Sequence, residues 1–241
     1  MLSKFSRIHG AAQKRKGGAE ALQTLLKAPK SQSQLAKTAD HRYLAQMTRC
    51  VFNAGFHWRV ISQKWEGFEA AFHGFDLGQL LTKSPDEWEL YLQDTRIVRN
   101  WQKIQTVFAN ACMIEAIAKD HGSFAAFFAE YPASNQIGLM KLLKDQGSRL
   151  GGQTAQWFIR FTGKDGFVTS ADMIAAMIAN GVDIDPKATS QKDLKSIQAA
   201  MNEWHQQSGL PYTHISQILS YTVGDNIPVE TLNSYAGTQS V

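Results

Sequence analysis

Cysteine is nearly absent from this 241-residue chain: Cys50 and Cys112 are the only two. Two cysteines give no disulfide framework, and a reducing cytoplasm is the expected home. There is no Cys-x-x-Cys pair. The seven histidines (His9, His41, His57, His73, His121, His205, His214) form no short doublet, so no metal site is expected. Proline is also scarce, six in all, and no proline-rich linker divides the chain. No apolar run approaches the roughly 20 residues that span a bilayer, so no membrane association is expected. Lys4 and Arg7 are not followed by an apolar core, and no export signal is read there. The chain has no Gly-x-x-x-x-Gly-Lys-Ser/Thr loop, dinucleotide fingerprint, His-Glu-x-x-His or nucleophile elbow. Those absences set aside the common nucleotide, zinc-protease and serine-hydrolase chemistries, and no cofactor is expected.

What is present is ample core material: 44% hydrophobic residues, with 13 Phe, 6 Trp and 6 Tyr. The net charge of +4 is unevenly spread. Residues 1–40 hold eight Lys/Arg (Lys4, Arg7, Lys14, Arg15, Lys16, Lys27, Lys30, Lys37) against Glu20 and Asp40, a balance of +6 that leaves the remainder at −2. Any nucleic-acid contact on the body must therefore be local. Residues 1–39 read as a basic extension, either a phosphate-binding arm or a partly disordered, solvated segment.

From Asp40 the apolar spacing turns helical. Leu44, Met47, Val51, Ala54 and Trp58 share one face, with Asp40 as N-cap. Phe68, Ala71, Phe72 and Phe75 form a second face, closed by Gly74 and Asp76. A short helix is expected at Leu77–Leu81, and Ser84-Pro85 with Glu87 open another through a capping box. Further helices are predicted over 100–119, 124–130, 137–145, 154–161, 171–180, 191–207 and 211–221. Strand-like alternation is nearly absent. The expected fold is all-α and multi-helical: one domain over 40–228, with 229–241 as a loose tail.

The stretch Gly147-Ser148-Arg149-Leu150-Gly151-Gly152-Gln153-Thr154 links two of these helices. Glycines between helices commonly make a plain C-cap and turn. A tight hairpin also presents backbone N–H groups at a helix N-terminus, where the helix dipole favours a phosphate. Such a contact positions DNA without reading sequence. Some twenty residues later comes Thr169-Ser170-Ala171-Asp172, where Asp172 opens a helix. Capping and dipole alone account for an acid there, and a catalytic role is the alternative.

Three further segments carry a resemblance. They are Ala54-Gly55-Phe56-His57-Trp58 with Lys64-Trp65-Glu66-Gly67-Phe68, then Ala71-Phe72-His73-Gly74-Phe75-Asp76, then Asp94-Thr95-Arg96-Ile97-Val98-Arg99-Asn100 running on to Ala109-Asn110-Ala111. In that order they resemble the DNA-3-methyladenine glycosylase I family of the helix-hairpin-helix superfamily. The resemblance implies a helical fold with a central cleft and excision of alkylated bases from double-stranded DNA. A base must leave the stack to be reached, so the enzyme extrudes it and fills the gap. The gap-filling residues fall on Gly55 and Phe56. The base pocket falls on Cys50, Asn53 and Trp58, the indole face of Trp58 suiting a cationic methylated purine. The hairpin falls on Arg149, Leu150, Gly151, Gly152, Gln153 and Thr154, and the catalytic carboxylate on Asp172. Arg96, Arg99 and Lys103 are a phosphate-contacting face, a solvated face or capping partners.

The sequence departs from the family at two places. Cys50 stands at the pocket-glutamate position and cannot accept charge-assisted hydrogen bonds, whereas Asn53 can offer a neutral acceptor and donor. The family's structural zinc, held by two cysteines and two histidines, has no counterpart set here. Gln153 occupies the position of a lyase lysine in bifunctional relatives, so a monofunctional hydrolysis is expected. The expected protein is thus a monomeric glycosylase for 3-methyladenine-like purines. Its rival is a non-catalytic module that binds damaged or bent DNA through the same hairpin.

Overall fold

The computed structural model describes the chain from Met1 to Gly237; residues 238–241, the end of the expected tail, lie outside the described residues. The described residues form helices joined by turns and irregular connections, without a strand. In chain order the helices are α1 (Phe5–Arg15), α2 (Ala19–Leu25), α3 (Gln32–Ala36), α4 (Asp40–Asn53), α5 (Trp58–Gln63), α6 (Trp65–Ala71), α7 (Leu77–Leu81) and α8 (Pro85–Glu89). They continue with α9 (Trp101–His121), α10 (Phe124–Glu130), α11 (Gln136–Gln146), α12 (Gly152–Thr162), α13 (Ala171–Ala179), α14 (Gln191–Ser208), α15 (Tyr212–Ser220) and α16 (Val229–Gly237). In place of one domain over 40–228, the chain divides into two compact units. One holds 1–29, 132–137 and 165–241; the other holds 30–131 and 138–164.

The first unit overturns the expectation of a loose basic extension. Phe5, Ile8 and Ala12 recur at spacings of three and four and are buried with Trp204, Ile215 and Leu219. The Trp204 indole N–H donates to the Ser3 carbonyl at 2.9 Å. Composition hid this apolar stripe because the basic residues between its members dominate the segment. Two of those bases are consumed structurally. Arg15 donates to the carbonyls of Tyr221 (3.1 Å) and Gly224 (2.7 Å), and Lys16 to that of Ile227 (2.9 Å) and to Asn226 Oδ1 (3.1 Å). These bonds hold the chain that leads into α16, so 229–237 is a helix rather than the expected loose tail. Asp165 accepts from the backbone N–H groups of Tyr212 (3.1 Å) and Thr213 (2.8 Å), closing the orphan donors at the start of α15.

The second unit packs α4 against α9 and α12, and α10 against α3. Tyr43 sits at its centre with edge contacts to Phe124 and Phe128, and its hydroxyl donates to the Leu35 carbonyl at 2.8 Å. Phe68, Phe72 and Phe75 are fully buried, as their spacing predicts, and Phe52 meets Phe68 edge-on. The capping box at Ser84 and Glu87 is present. Asp40 differs from expectation. It lies inside α4, and its carboxylate accepts from the N–H groups of Phe124 (2.9 Å) and Ala125 (2.8 Å). It caps α10, 84 residues away, because a carboxylate meets a helix N-terminus in space wherever the fold brings one.

No helix among the described residues is long and apolar enough to cross a membrane. Nor does any cluster of three His, Cys, Asp or Glu there suit a metal ion, so the residues do not fit the zinc that the resemblance implies.

Candidate nucleic-acid interface

The apolar face of α4 was expected to run on to Trp58, but the helix stops at Asn53. Ala54 is extended and Gly55 takes φ +77°, a conformation that strains any side chain with a Cβ. The Phe56 N–H donates to the Asn53 carbonyl at 3.0 Å, and His57 caps α5, its Nδ1 accepting from the Arg59 N–H at 3.4 Å. The turn lifts both aromatic side chains out of the core: Phe56 is 42% exposed and Trp58 38%. Simple core packing does not describe them. Trp58 stacks with His57, and the Arg59 guanidinium lies 5.6 Å from its ring.

Lys103 holds this loop from beneath. Its Nζ donates to the carbonyls of Phe52 (3.0 Å) and Ala54 (2.6 Å) and sits 4.5 Å from the Phe56 ring centroid. Of the three roles open to it, Lys103 is a capping partner at the end of α4, favoured there by the helix dipole. Burial, and then the nearby Arg149 charge, push its amine below the usual lysine range. Arg96 forks onto Asp94, closest contact 2.6 Å, and lies with Arg99 ahead of α9, so the three bases do not form one helical face.

Behind the loop, Cys50 is buried, accepts a weak hydrogen bond from Gln46 (3.5 Å), and has its thiol pushed up to about 12 by burial. It is uncharged at neutral pH. Cys112 is only partly buried. Asn53 Oδ1 is buried without a hydrogen-bond partner. An unmet buried acceptor costs about 1–3 kcal/mol, so this atom is ready for a donor. One turn earlier, Arg49 lies half-buried with its guanidinium 5.1 Å from the Trp65 ring centroid and donates to Ser62 Oγ at 3.4 Å. Sequence patterning passed over Arg49, because a cation beside an apolar stripe looks like a solvated neighbour.

The hairpin begins where α11 ends. A Cβ on Gly147 would stand 2.6 Å from the Leu143 carbonyl and 2.9 Å from Leu150 Cδ1, so only glycine fits. Arg149 takes φ +57°, and its Nη2 donates to Gln102 Oε1 at 2.5 Å. Leu150 is fully buried and anchors the turn. Gly151 precedes α12 without a side-chain cap, and Gly152 and Gln153 are exposed at its start, two residues earlier than expected. Asn110, fully buried in α9, grips the hairpin twice: Nδ2 donates to the Ser148 carbonyl (3.2 Å) and Oδ1 accepts from the Ser148 N–H (2.7 Å). Asn110 was legible only as part of a motif. Its signal is a polar residue at a core position, between Val107 and Ile114.

A methyladenine glycosylase family model matches residues 35–146. Over this segment the chain is similar to the methyladenine glycosylase family. The match takes in α4 to α11 and so includes Cys50, the exposed loop, Lys103 and Asn110. DNA-3-methyladenine glycosylase 1 of Escherichia coli (strain K12) is 27% identical over 119 residues, covering 42% of this chain. The chain spans 64% of the length of that relative. Among solved structures, a Staphylococcus aureus 3-methyladenine DNA glycosylase I is 18% identical with a TM-score of 0.47, covering 59% of this chain and 84% of its own. A Methanocaldococcus jannaschii 8-oxoguanine glycosylase/lyase is 14% identical with a TM-score of 0.47, covering 78% and 83%. The glycosylase-family segment ends at the last residue of α11, so the second half of the hairpin lies beyond it.

Asp172 belongs to the other unit. It is exposed in the first turn of α13, which Ser170 caps by accepting from the Met173 N–H at 3.2 Å. Its carboxylate stands close against Gly224: a Cβ there would lie 3.0 Å from Oδ1.

Proposed function

We propose that the chain is a monofunctional DNA glycosylase, hydrolysing the N-glycosidic bond of an alkylated purine in double-stranded DNA. It acts as a monomer in the cytoplasm. The observation that carries this is the exposed Gly55-Phe56-His57-Trp58 loop inside the glycosylase-family segment. Two large aromatics leave the core where extrusion of a base demands a gap-filling side chain and a π-face. Gly55 and Phe56 fill the gap, and Cys50, Asn53 and Trp58 contact the base. Arg149, Leu150, Gly151, Gly152, Gln153 and Thr154 anchor the DNA backbone through main-chain N–H groups and the dipole of α12. Asp172 positions water or stabilises the sugar cation that forms as the base departs. Gln153, which cannot form a Schiff base, supports hydrolysis without strand cleavage.

The test incubates the full chain with duplex DNA treated with a methylating agent and, separately, with an etheno-forming agent. Released bases are resolved by chromatography. A purine freed from either substrate is the expected result. Tight binding to a duplex bearing an abasic-site mimic, with no base freed from either substrate, would replace the enzyme by the damage-binding module. Asp172→Asn is expected to lower release at least tenfold while leaving binding intact; unchanged release would remove Asp172 from the chemistry.

A further inference from the structure

Arg49, Arg59, Lys64 and Lys103 stand around the loop. Arg49 lies half-buried one turn before Asn53, with its face on Trp65 and Ser62 as its hydrogen-bond partner. Lys103 lies under Phe56, and Arg59 over Trp58. Lys64, at the junction of α5 and α6, donates to the Thr95 carbonyl at 2.8 Å. The carboxylates on adjoining elements are engaged or turned to solvent. Glu69 lies within electrostatic reach of Arg49, but it is held by Arg42 at 2.7 and 2.9 Å and by the Trp65 indole N–H at 3.0 Å. Asp94 is held by Arg96, and Glu66 is exposed. Cys50, the polar side chain adjacent to Arg49, is an uncharged thiol.

We propose that this site takes an uncharged alkylated base rather than a cationic one, with Arg49 as the residue that sets the preference. The inference rests on the glycosylase function proposed above and names its substrate class. In hydrolysis the oxygen of water bonds to C1′ as the C1′–N bond breaks. The bonding pair leaves with the base, and the water proton ends on a base nitrogen or in solvent. A cationic base departs neutral, so its positive charge passes to the sugar, and a guanidinium nearby opposes binding without helping departure. An uncharged base gathers negative charge as it leaves. A fixed cation then stabilises the transition state more than the ground state, which is the condition for acceleration. Asn53 Oδ1, buried and unmet, accepts from a ring or exocyclic N–H of the base. A neutral acceptor recognises a neutral donor without needing a counter-charge.

Single-turnover release from two duplexes tests this, one carrying N2,3-ethenoguanine, which is uncharged and keeps a ring N–H, and one carrying cationic 7-methylguanine, which keeps the same N–H. Each rate is divided by spontaneous loss of the same base. The enhancement for ethenoguanine is expected to exceed that for 7-methylguanine by roughly tenfold or more. Arg49→Gln is expected to collapse the ratio, and Arg49→Lys to keep most of it. A wild-type preference for 7-methylguanine overturns the proposal and leaves the glycosylase function standing. So does an unchanged ratio in a folded Arg49→Gln variant that still releases base. Release of neither base by a preparation that frees another purine from methylated duplex overturns the preference alone, and release of no base from any of these substrates overturns both.

Discussion

Phe56 and Lys103 form the working pair at the scale of single residues. The ring is partly exposed, and the amine beneath it ties two carbonyls at the end of α4. Exposure and anchoring together separate function from stability. Phe56→Ala trims a side chain that is 42% exposed, so stability should fall by about 1–2 kcal/mol, less than the roughly 3–5 kcal/mol of a fully buried phenylalanine, while base release falls at least tenfold because the gap is left unfilled. A melting curve and a release assay on the same preparation check both. A large loss of stability would show that the ring is packing rather than plug. Lys103 explains why the loop is not slack. An amine buried against carbonyls is a C-terminal cap with a fixed geometry, and the fixed backbone aims the ring.

At the scale of elements, the hairpin between α11 and α12 depends on a side chain from a third helix. Asn110 closes both polar groups of Ser148 and is itself fully buried. Asn110→Ala leaves that N–H and that carbonyl unmet, at a cost of about 1–3 kcal/mol. Binding to undamaged duplex should weaken along with stability, and Asn110→Asp should not rescue it, since a carboxylate cannot donate to the Ser148 carbonyl. Fluorescence anisotropy with a labelled duplex reads the effect. Binding unaffected by Asn110→Ala would mean that the hairpin is not the DNA anchor. Between residues 40 and 228 helix existence and type were legible from periodicity, including Ser84-Pro85 with Glu87 and the span 124–130. What periodicity could not show was the end of α4. Ala54 and Trp58 fit the apolar spacing, but the positive φ at Gly55 breaks the helix first. Asp40 illustrates the same limit: its cap is on α10, a partner that only the fold supplies.

The whole molecule comprises two units where the sequence suggested one domain with loose ends. Basic composition concealed Phe5, Ile8 and Ala12, and polar residues concealed α16. Both ends are held in the unit that also contains Asp172. For the other unit, Tyr43 and Tyr91 offer a probe of integrity. Their hydroxyls donate to the Leu35 and Ala71 carbonyls, and burial pushes both phenols up to about 12. Unfolded tyrosine titrates near about 10. The folded state thus keeps protons that the unfolded state gives up, and its stability declines as pH rises from roughly 10 to 12. Tyrosinate absorbance should show a late-titrating fraction whose ionisation coincides with loss of helical signal. Titration of all tyrosines in one early step, with helix retained, would contradict the packing described for this unit.

The central claim is hydrolysis of a base–sugar bond, and the product strand tests it most directly. Under single turnover with an end-labelled duplex carrying one alkylated purine, the account predicts free base together with an intact strand. That strand should break at the lesion position only after alkali. A strand still alkali-stable after prolonged incubation with excess bound protein would contradict the account.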